Sequence, residues 1–147
     1  MKIALGADHK GLPYKNLIKA HLIKKDIEVT DFGTFTEDST DYPSYAIQAA
    51  RDVASQKADY GILICWTGNG MAIAANKVKG IRAGLALNPE MAELTRAHND
   101  ANVLVLSGKY TPEKDVKDIV DKFLSTKFEG GRHQRRLDKI ERFEEEK

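Results

Sequence analysis

The stretch GILICWTGNG, residues 61–70, gives the clearest indication of the fold. It joins a short apolar run, typical of a buried strand, to a loop with Gly68 and Gly70 that leads into an apolar segment. Glycines let the backbone approach a ligand closely and direct several N–H groups at one point. Because the following helix adds the partial positive charge of its N-terminus, we expect an anion-binding loop beside the thiol of Cys65.

The composition favours one ordinary globular domain. A chain of 147 residues most simply forms a single domain, residues 1–147, with a core that needs neither a metal nor a disulfide. The net charge of +1 indicates neither a nucleic acid nor a membrane surface as a partner. A single cysteine favours a reducing compartment, and no signal peptide or membrane span is predicted. We therefore expect a cytoplasmic protein.

Short apolar runs alternate with amphipathic ones along the chain, which is typical of βαβ units around a parallel sheet. The predicted strands are Ile3–Ala7, Ile27–Phe32, Tyr60–Cys65, Ile81–Leu87 and Asn102–Ser107. Helices are predicted over 12–25 and 43–55, and a tail helix over about 132–143. Two further helices are expected to start at Asn88-Pro89-Glu90 and Thr111-Pro112-Glu113, where a capping side chain precedes proline. The sequence thus predicts an α/β fold with a five-stranded parallel sheet.

Two groups of candidate residues follow predicted strands, at the edge of the sheet where parallel α/β proteins bind ligands. Asp8 and His9 follow the first strand, and residues 65–70 follow the third. A thiol beside a helix N-terminus can act as a base or a nucleophile. The alternative for Cys65 is a small core residue at a strand end, and the adjacent glycine loop favours the chemical interpretation.

His98 and Asn99 end a predicted helix before the fifth strand, at the opposite edge of the sheet. A strand of about six residues at roughly 3.3 Å each puts this edge nearly 20 Å from Cys65. His98 is therefore either structural or part of the site of a neighbouring subunit. The same question applies to Arg132 and Arg136, whose one-turn spacing suits a phosphate, although a solvated helix face has the same appearance. Nucleic-acid binding by the basic run over residues 132–136 is disfavoured, because this run lacks aromatic neighbours for base stacking.

The motifs of this chain, taken in order, closely resemble ribose-5-phosphate isomerase type B, within the family that includes galactose-6-phosphate isomerase subunits. The motifs are Gly6–Gly11, Asp41–Pro43, Cys65–Gly70, Ala74–Lys77, Gly80–Ala83, His98–Asn102 and Gly130–His133. The resemblance implies a Rossmann-like three-layer α/β/α fold without a cofactor or metal. It also implies a homodimer or tetramer with shared active sites, which interconverts an aldose phosphate and its ketose through an enediolate.

The resemblance also implies roles for the residues that carry the reaction. Cys65 is expected to be the base that moves a proton between C2 and C1. Thr67 and the backbone amides of Gly68, Asn69 and Gly70 are expected to stabilise the enediolate. His98, with Asn99 beside it, is expected to reach across from the partner subunit and open the furanose ring.

Further positions are expected to bind the substrate. Asp8 and His9 match the sugar- and phosphate-binding pair of the family, and Arg132 and Arg136 match its phosphate clamp. Tyr42 is expected to line the sugar pocket.

Two further positions that we expect to bind the substrate depart from the family pattern. Trp66 replaces a common glycine, and Lys109 replaces a phosphate-binding arginine, which keeps the charge but loses the two-pronged geometry. Met71 stands where a subset of the family has a glutamate base, so the cysteine version of the site is indicated. Ribose 5-phosphate is the expected substrate; the alternatives are a hexose 6-phosphate of the allose or galactose type, or a non-catalytic sugar-phosphate sensor.

Overall fold

Strands and helices alternate along residues 1–146, the part of the chain that our computed structural model describes. The strands are β1 (Lys2–Ala7), β2 (Glu28–Asp31), β3 (Tyr60–Cys65), β4 (Ala83–Leu85) and β5 (Val103–Ser107). The helices are α1 (Leu12–Lys24), α2 (Tyr42–Ala54), α3 (Asn69–Asn76), α4 (Pro89–Asn99), α5 (Glu113–Ser125) and α6 (Arg132–Glu145). Among the helices of residues 1–146, none combines the length and the apolar character that crossing a membrane requires.

The five strands form one parallel sheet in the order β2-β1-β3-β5-β4, which confirms the predicted sheet. Side chains alternate between its two faces, because consecutive residues of a strand point in opposite directions. Ile62 and Ile64 of β3 pack with α1, α4 and α5 on one face, whereas Leu63 and Cys65 pack with α2 and α3 on the other. The predicted three-layer α/β/α architecture is therefore confirmed.

Two details of the sequence prediction are wrong. The fourth strand covers Ala83–Leu85 rather than 81–87, because only these three residues pair with β5 at the edge of the sheet. Thr111 does not cap α5: its hydroxyl accepts a hydrogen bond from the Ser107 N–H at 3.3 Å, and Pro112 directly precedes the helix. The Asn88 cap is confirmed, since its side chain accepts from the Met91 N–H at 2.8 Å.

A buried ion pair fixes α1 against the end of β2. Lys15 is completely buried, and its Nζ lies 2.7 and 2.8 Å from the two carboxylate oxygens of Asp31. Burial alone would raise the pKa of Asp31, but hydrogen bonds from Lys15, the Gly33 N–H and Lys19 outweigh it and lower that pKa. The ionised carboxylate therefore contributes to stability at neutral pH.

We predict that Asp31→Asn lowers the free energy of unfolding by about 3 kcal/mol at neutral pH, because it leaves the buried charge of Lys15 without its counter-ion. Chemical denaturation measures this loss, and Asp118→Asn, at an exposed position of α5, is the matched control. A lowered pKa means that the contribution is present above the ordinary value of 3.8 and is lost as the pH falls below it. The difference between wild type and D31N should therefore shrink in strong acid; equal stability of D31N, D118N and wild type at neutral pH would contradict the role of this pair.

Candidate active site

The sheet contains a point where two adjacent strands send the chain to opposite faces. From β1 the chain continues into α1 on one face, and from β3 it continues into α3 on the other. Such a switch point opens a crevice beyond the carboxyl ends of the two strands, where α/β proteins bind ligands. Asp8, His9 and the loop after Cys65 all lie at this crevice, as the sequence predicts.

Local hydrogen bonds fix Asp8 and His9 at the end of β1. Asp8 is buried, and its Oδ1 accepts from the N–H groups of Lys10 and Gly11, both at 3.0 Å. His9 Nδ1 is 3.2 Å from the Thr40 N–H, which makes Nδ1 an acceptor. A neutral His9 consequently carries its proton on Nε2, the nitrogen left to donate to a ligand.

The loop after Cys65 has the glycine geometry expected of an anion-binding turn. Gly68 adopts φ +89° and directly precedes α3, whose first N–H groups have no partner within the helix. Thr67 Oγ1 accepts from the Asn69 N–H at 3.3 Å. The ring of Tyr42 packs on Gly70, since a Cβ built there would lie 2.6 Å from the ring. Tyr42 therefore belongs to the same group as residues 67–70.

Cys65 lies at the tip of β3 and is 4% exposed in the single protomer. It is level with Ser107 of β5, and the Gly108 N–H donates to its carbonyl at 2.8 Å. Cys65 thus directly precedes the glycine loop, and little solvent reaches its thiol.

A serine that sequence reasoning missed ties this loop to the end of β5. Ser107 Oγ donates to the Trp66 carbonyl at 2.7 Å and accepts from the N–H groups of Lys109 (3.2 Å) and Tyr110 (2.8 Å). The Lys109 N–H also donates to the Trp66 carbonyl at 2.9 Å. These bonds place Lys109 at the same edge as Cys65. A hydroxyl directly before Gly108, at the end of an apolar run, was the available sequence signal.

The remaining predicted residues lie at the opposite edge of the sheet. His98 and Asn99 end α4, which leads to the amino end of β5, and Arg132 opens α6 beside them. The imidazole of His98 stacks on that of His133, with ring centroids 4.4 Å apart and an interplanar angle of 14°. Hence each protomer carries two separate groups of candidate residues, one at each edge, and the separation expected from the sequence is confirmed.

The second edge also contains titratable side chains that the sequence did not bring together. Single donor atoms of His98, Glu129 and His133 all lie within 4.8 Å of one another. Two imidazoles and a carboxylate are typical zinc ligands, but nearly parallel rings cannot both direct an in-plane lone pair at one ion. The pKa of His133 is lowered, because the ring is partly removed from water and because His98 and Arg132 repel a further positive charge. The stacked arrangement of the two rings therefore disfavours a metal site here.

Comparison with known proteins agrees with the motifs and the fold. The sequence pattern of the family described as Ribose/Galactose Isomerase matches residues 3–140. The chain belongs to this family.

Individual relatives of the ribose/galactose isomerase family are similar over nearly their whole length. Ribose-5-phosphate isomerase B of Escherichia coli strain K12 is 48% identical, over 98% of this chain and 97% of its own. The structure of ribose-5-phosphate isomerase B from Clostridium thermocellum has a TM-score of 0.97 at 46% identity and covers 99% of both chains. That of the Mycoplasma genitalium enzyme, solved with ribulose 5-phosphate bound, has a TM-score of 0.95 at 46% identity, covering 99% of this chain and 97% of its own.

Trp66 is one of the two positions that are expected from the sequence to depart from the family pattern, and the structure shows where its ring lies. The indole is 44% exposed, packs beside Gly108 and has the Nζ of Lys10 at 5.2 Å from its centroid. The ring therefore lies between Lys10 and Gly108, at the edge of the sheet that carries the glycine loop.

We predict that Gly68→Ala impairs both stability and activity. Its φ of +89° disfavours a side chain, and an added Cβ would lie 2.5 Å from Leu85 Cδ1 and 3.3 Å from the Leu106 carbonyl oxygen, so the Leu85 side chain or the loop must shift. Gly80→Ala is the matched control, because Gly80 has φ +88° but nothing within 4 Å of the added atom. G80A should lose about 1 kcal/mol of stability and no activity, whereas G68A should lose more of both. Identical stability and turnover of the two variants would contradict the close fit of this loop.

Proposed function

We propose that this chain is an aldose–ketose isomerase that interconverts ribose 5-phosphate and ribulose 5-phosphate through an enediolate. The observation that carries the proposal is the position of Cys65, at the tip of a strand beside the switch point and directly before the glycine loop that starts α3. The relatives named ribose-5-phosphate isomerase B support this choice of substrate, as does the relative with bound ribulose 5-phosphate.

In the proposed reaction, the thiolate of Cys65 removes the proton on C2 of the open-chain aldose. The C–H electron pair forms the C1–C2 double bond, and the carbonyl oxygen on C1 becomes negatively charged. Return of the proton to C1, with transfer of the C2 hydroxyl proton to that oxygen, leaves the ketone at C2. Thr67 and the amides of residues 68–70 stabilise the negative oxygen, and such prearranged donors usually supply the largest single contribution to catalysis.

Ring opening requires an acid, and His98 is the candidate. Ribose 5-phosphate is mainly a furanose, so opening breaks the bond between C1 and the ring oxygen. The ring oxygen gains a proton, and the C1 hydroxyl loses its proton to water as C1 becomes a carbonyl. His98 lies at the wrong edge of its own sheet to act on a sugar beside Cys65. We therefore assign this step to His98 of a second protomer, with Asn99 beside it.

An apolar groove between α3 and α6 supports such a dimer. It extends from Ala72 and Ile73 past Asn76 and Glu144 to Asn99. Ile73, Ile140 and Phe143 along this groove are 61%, 51% and 59% exposed, which is unusual for large apolar side chains. A two-fold axis would pair α3 of each copy with α6 of the other, and would bring the His98 edge of one copy to the Cys65 edge of its partner.

The same arrangement brings together the hydrogen-bond donors and positive charges needed for a phosphate. His9 and Lys109 lie at the Cys65 edge of one protomer, and Arg132 and Arg136 lie at the His98 edge of the other. Guanidinium groups bind phosphate oxygens with pairs of hydrogen bonds. Anchoring the phosphate at a distance from C1 and C2 uses its binding free energy to align the reacting carbons.

We predict that Cys65→Ala retains the fold but lowers kcat for ribose 5-phosphate by about 10²–10⁴-fold, because the base is removed. A coupled isomerase assay measures kcat and kcat/KM for pentose and hexose phosphates side by side. Ile64→Val is the matched control, since it removes one methyl group from the opposite face of β3 and should cost about 1 kcal/mol of stability without changing kcat.

This assay, together with a measurement of hydrogen exchange at C2 in deuterated water, has three outcomes that decide the function. Preference for ribose 5-phosphate supports the proposal, and a higher kcat/KM for a hexose 6-phosphate would move the assignment to the alternative sugar. A wild-type protein that binds sugar phosphates but exchanges no C2 hydrogen with deuterated water would be a sensor.

A further inference from the structure

Glu129 is attached at two points to the segment that carries His98. Its backbone N–H donates to the carbonyl of Ala97 at 3.0 Å, one residue before the histidine. Its carboxylate oxygen Oε2 lies 3.8 Å from His98 Nε2. The first contact fixes the backbone of Glu129 at the end of α4, so the second brings its charge to one particular edge of the imidazole.

His133 fixes the same imidazole from another direction. Gly130 and Gly131 have φ of +71° and +59°, and this turn brings His133, in the first turn of α6, onto the face of the His98 ring. The ring of His98 is therefore bounded on one face by His133 and at Nε2 by Glu129. Side-chain torsion of His98 would break one of these contacts.

Among the charged groups around His98, the carboxylate of Glu129 has a distinct position. Arg132 and Arg136 on α6 are positive, and Asp100, the other nearby acid, is held by Arg82 at 3.3 Å and Arg96 at 2.8 Å. His133 adds little charge at neutral pH, because its pKa is lowered by partial burial and by the neighbouring positive groups. Glu129 is thus the acid that directly faces the His98 ring.

We propose that Glu129 is a positioning residue for ring opening, holding His98 so that its ring can donate a proton to the sugar ring oxygen. A separation of 3.8 Å is too long for a hydrogen bond but short enough for attraction between a carboxylate and an imidazolium. Glu129 can therefore hold the charged ring without occupying the proton that the ring must donate. This inference rests on the proposed function, since it assumes that His98 opens the sugar.

The experiment separates ring opening from proton transfer at carbon. Ribulose 5-phosphate cannot close to a furanose, because its C5 oxygen carries the phosphate, so exchange of its C1 hydrogen with deuterated water needs only the enediolate step. NMR follows this exchange, and a coupled assay follows net conversion of ribose 5-phosphate. For Glu129→Gln we expect the rate of conversion to fall about 10-fold, because a poorly positioned His98 loses part of the rate enhancement that a general acid supplies. The rate of exchange should stay within about 2-fold of wild type.

Further variants separate positioning from a structural role. Glu129→Asp keeps the charge on a shorter side chain and should recover part of the conversion, and Glu141→Gln, at an exposed position of α6, should change neither rate. In a His98→Asn background, E129Q should lower conversion by less than about 2-fold, because Glu129 acts through His98. If E129Q lowers conversion as much in the His98→Asn background as in the wild type, the proposal is overturned. An equal loss of exchange and conversion in the E129Q single variant would also overturn it. A wild-type protein that neither converts nor exchanges would instead overturn the proposed function itself.

Discussion

The parallel pairing of β3 with both β1 and β5 is the constraint on which the candidate site depends. Ala7 is level with Ile64, and Cys65 is level with Ser107, so the segments that follow all three strands meet at one edge. Gly11 keeps this junction tight, because a Cβ there would lie 2.5 Å from the Ile64 carbonyl oxygen. A shift of β3 by one residue would move Cys65 to the opposite face of the sheet, away from α2 and α3.

The same sheet separates the groups that the proposed reaction needs. The thiol, Thr67 and the loop amides lie at the carboxyl edge, whereas His98, Glu129 and the arginines lie at the amino edge. For the proposed reaction, one chain alone would have two incomplete sites, and a two-fold dimer would combine them into two complete ones. In this arrangement catalysis depends on association, and the groove between α3 and α6 is as much a part of the site as the loop.

Much of this could be predicted from the sequence, because strand order along the chain and the position of each motif relative to its strand are local properties. Cys65, Asp8 and the glycine loop were placed at one edge for that reason. Ser107, Glu129 and His133 were missed, since their partners lie far away in sequence: Ser107 binds Trp66, and Glu129 faces His98. The fourth strand was predicted too long because an apolar run does not reveal where pairing at a sheet edge stops.

The most direct test of a shared site mixes two inactive variants. Cys65→Ala and His98→Asn are each expected to be nearly inactive alone, because every site in either homodimer lacks one group. After subunit exchange about half of the dimers contain one copy of each, and one of their two sites is intact, so about a quarter of the wild-type activity should return. If the mixture stays as inactive as its components after exchange is verified, the two edges do not form one site, and the account is contradicted.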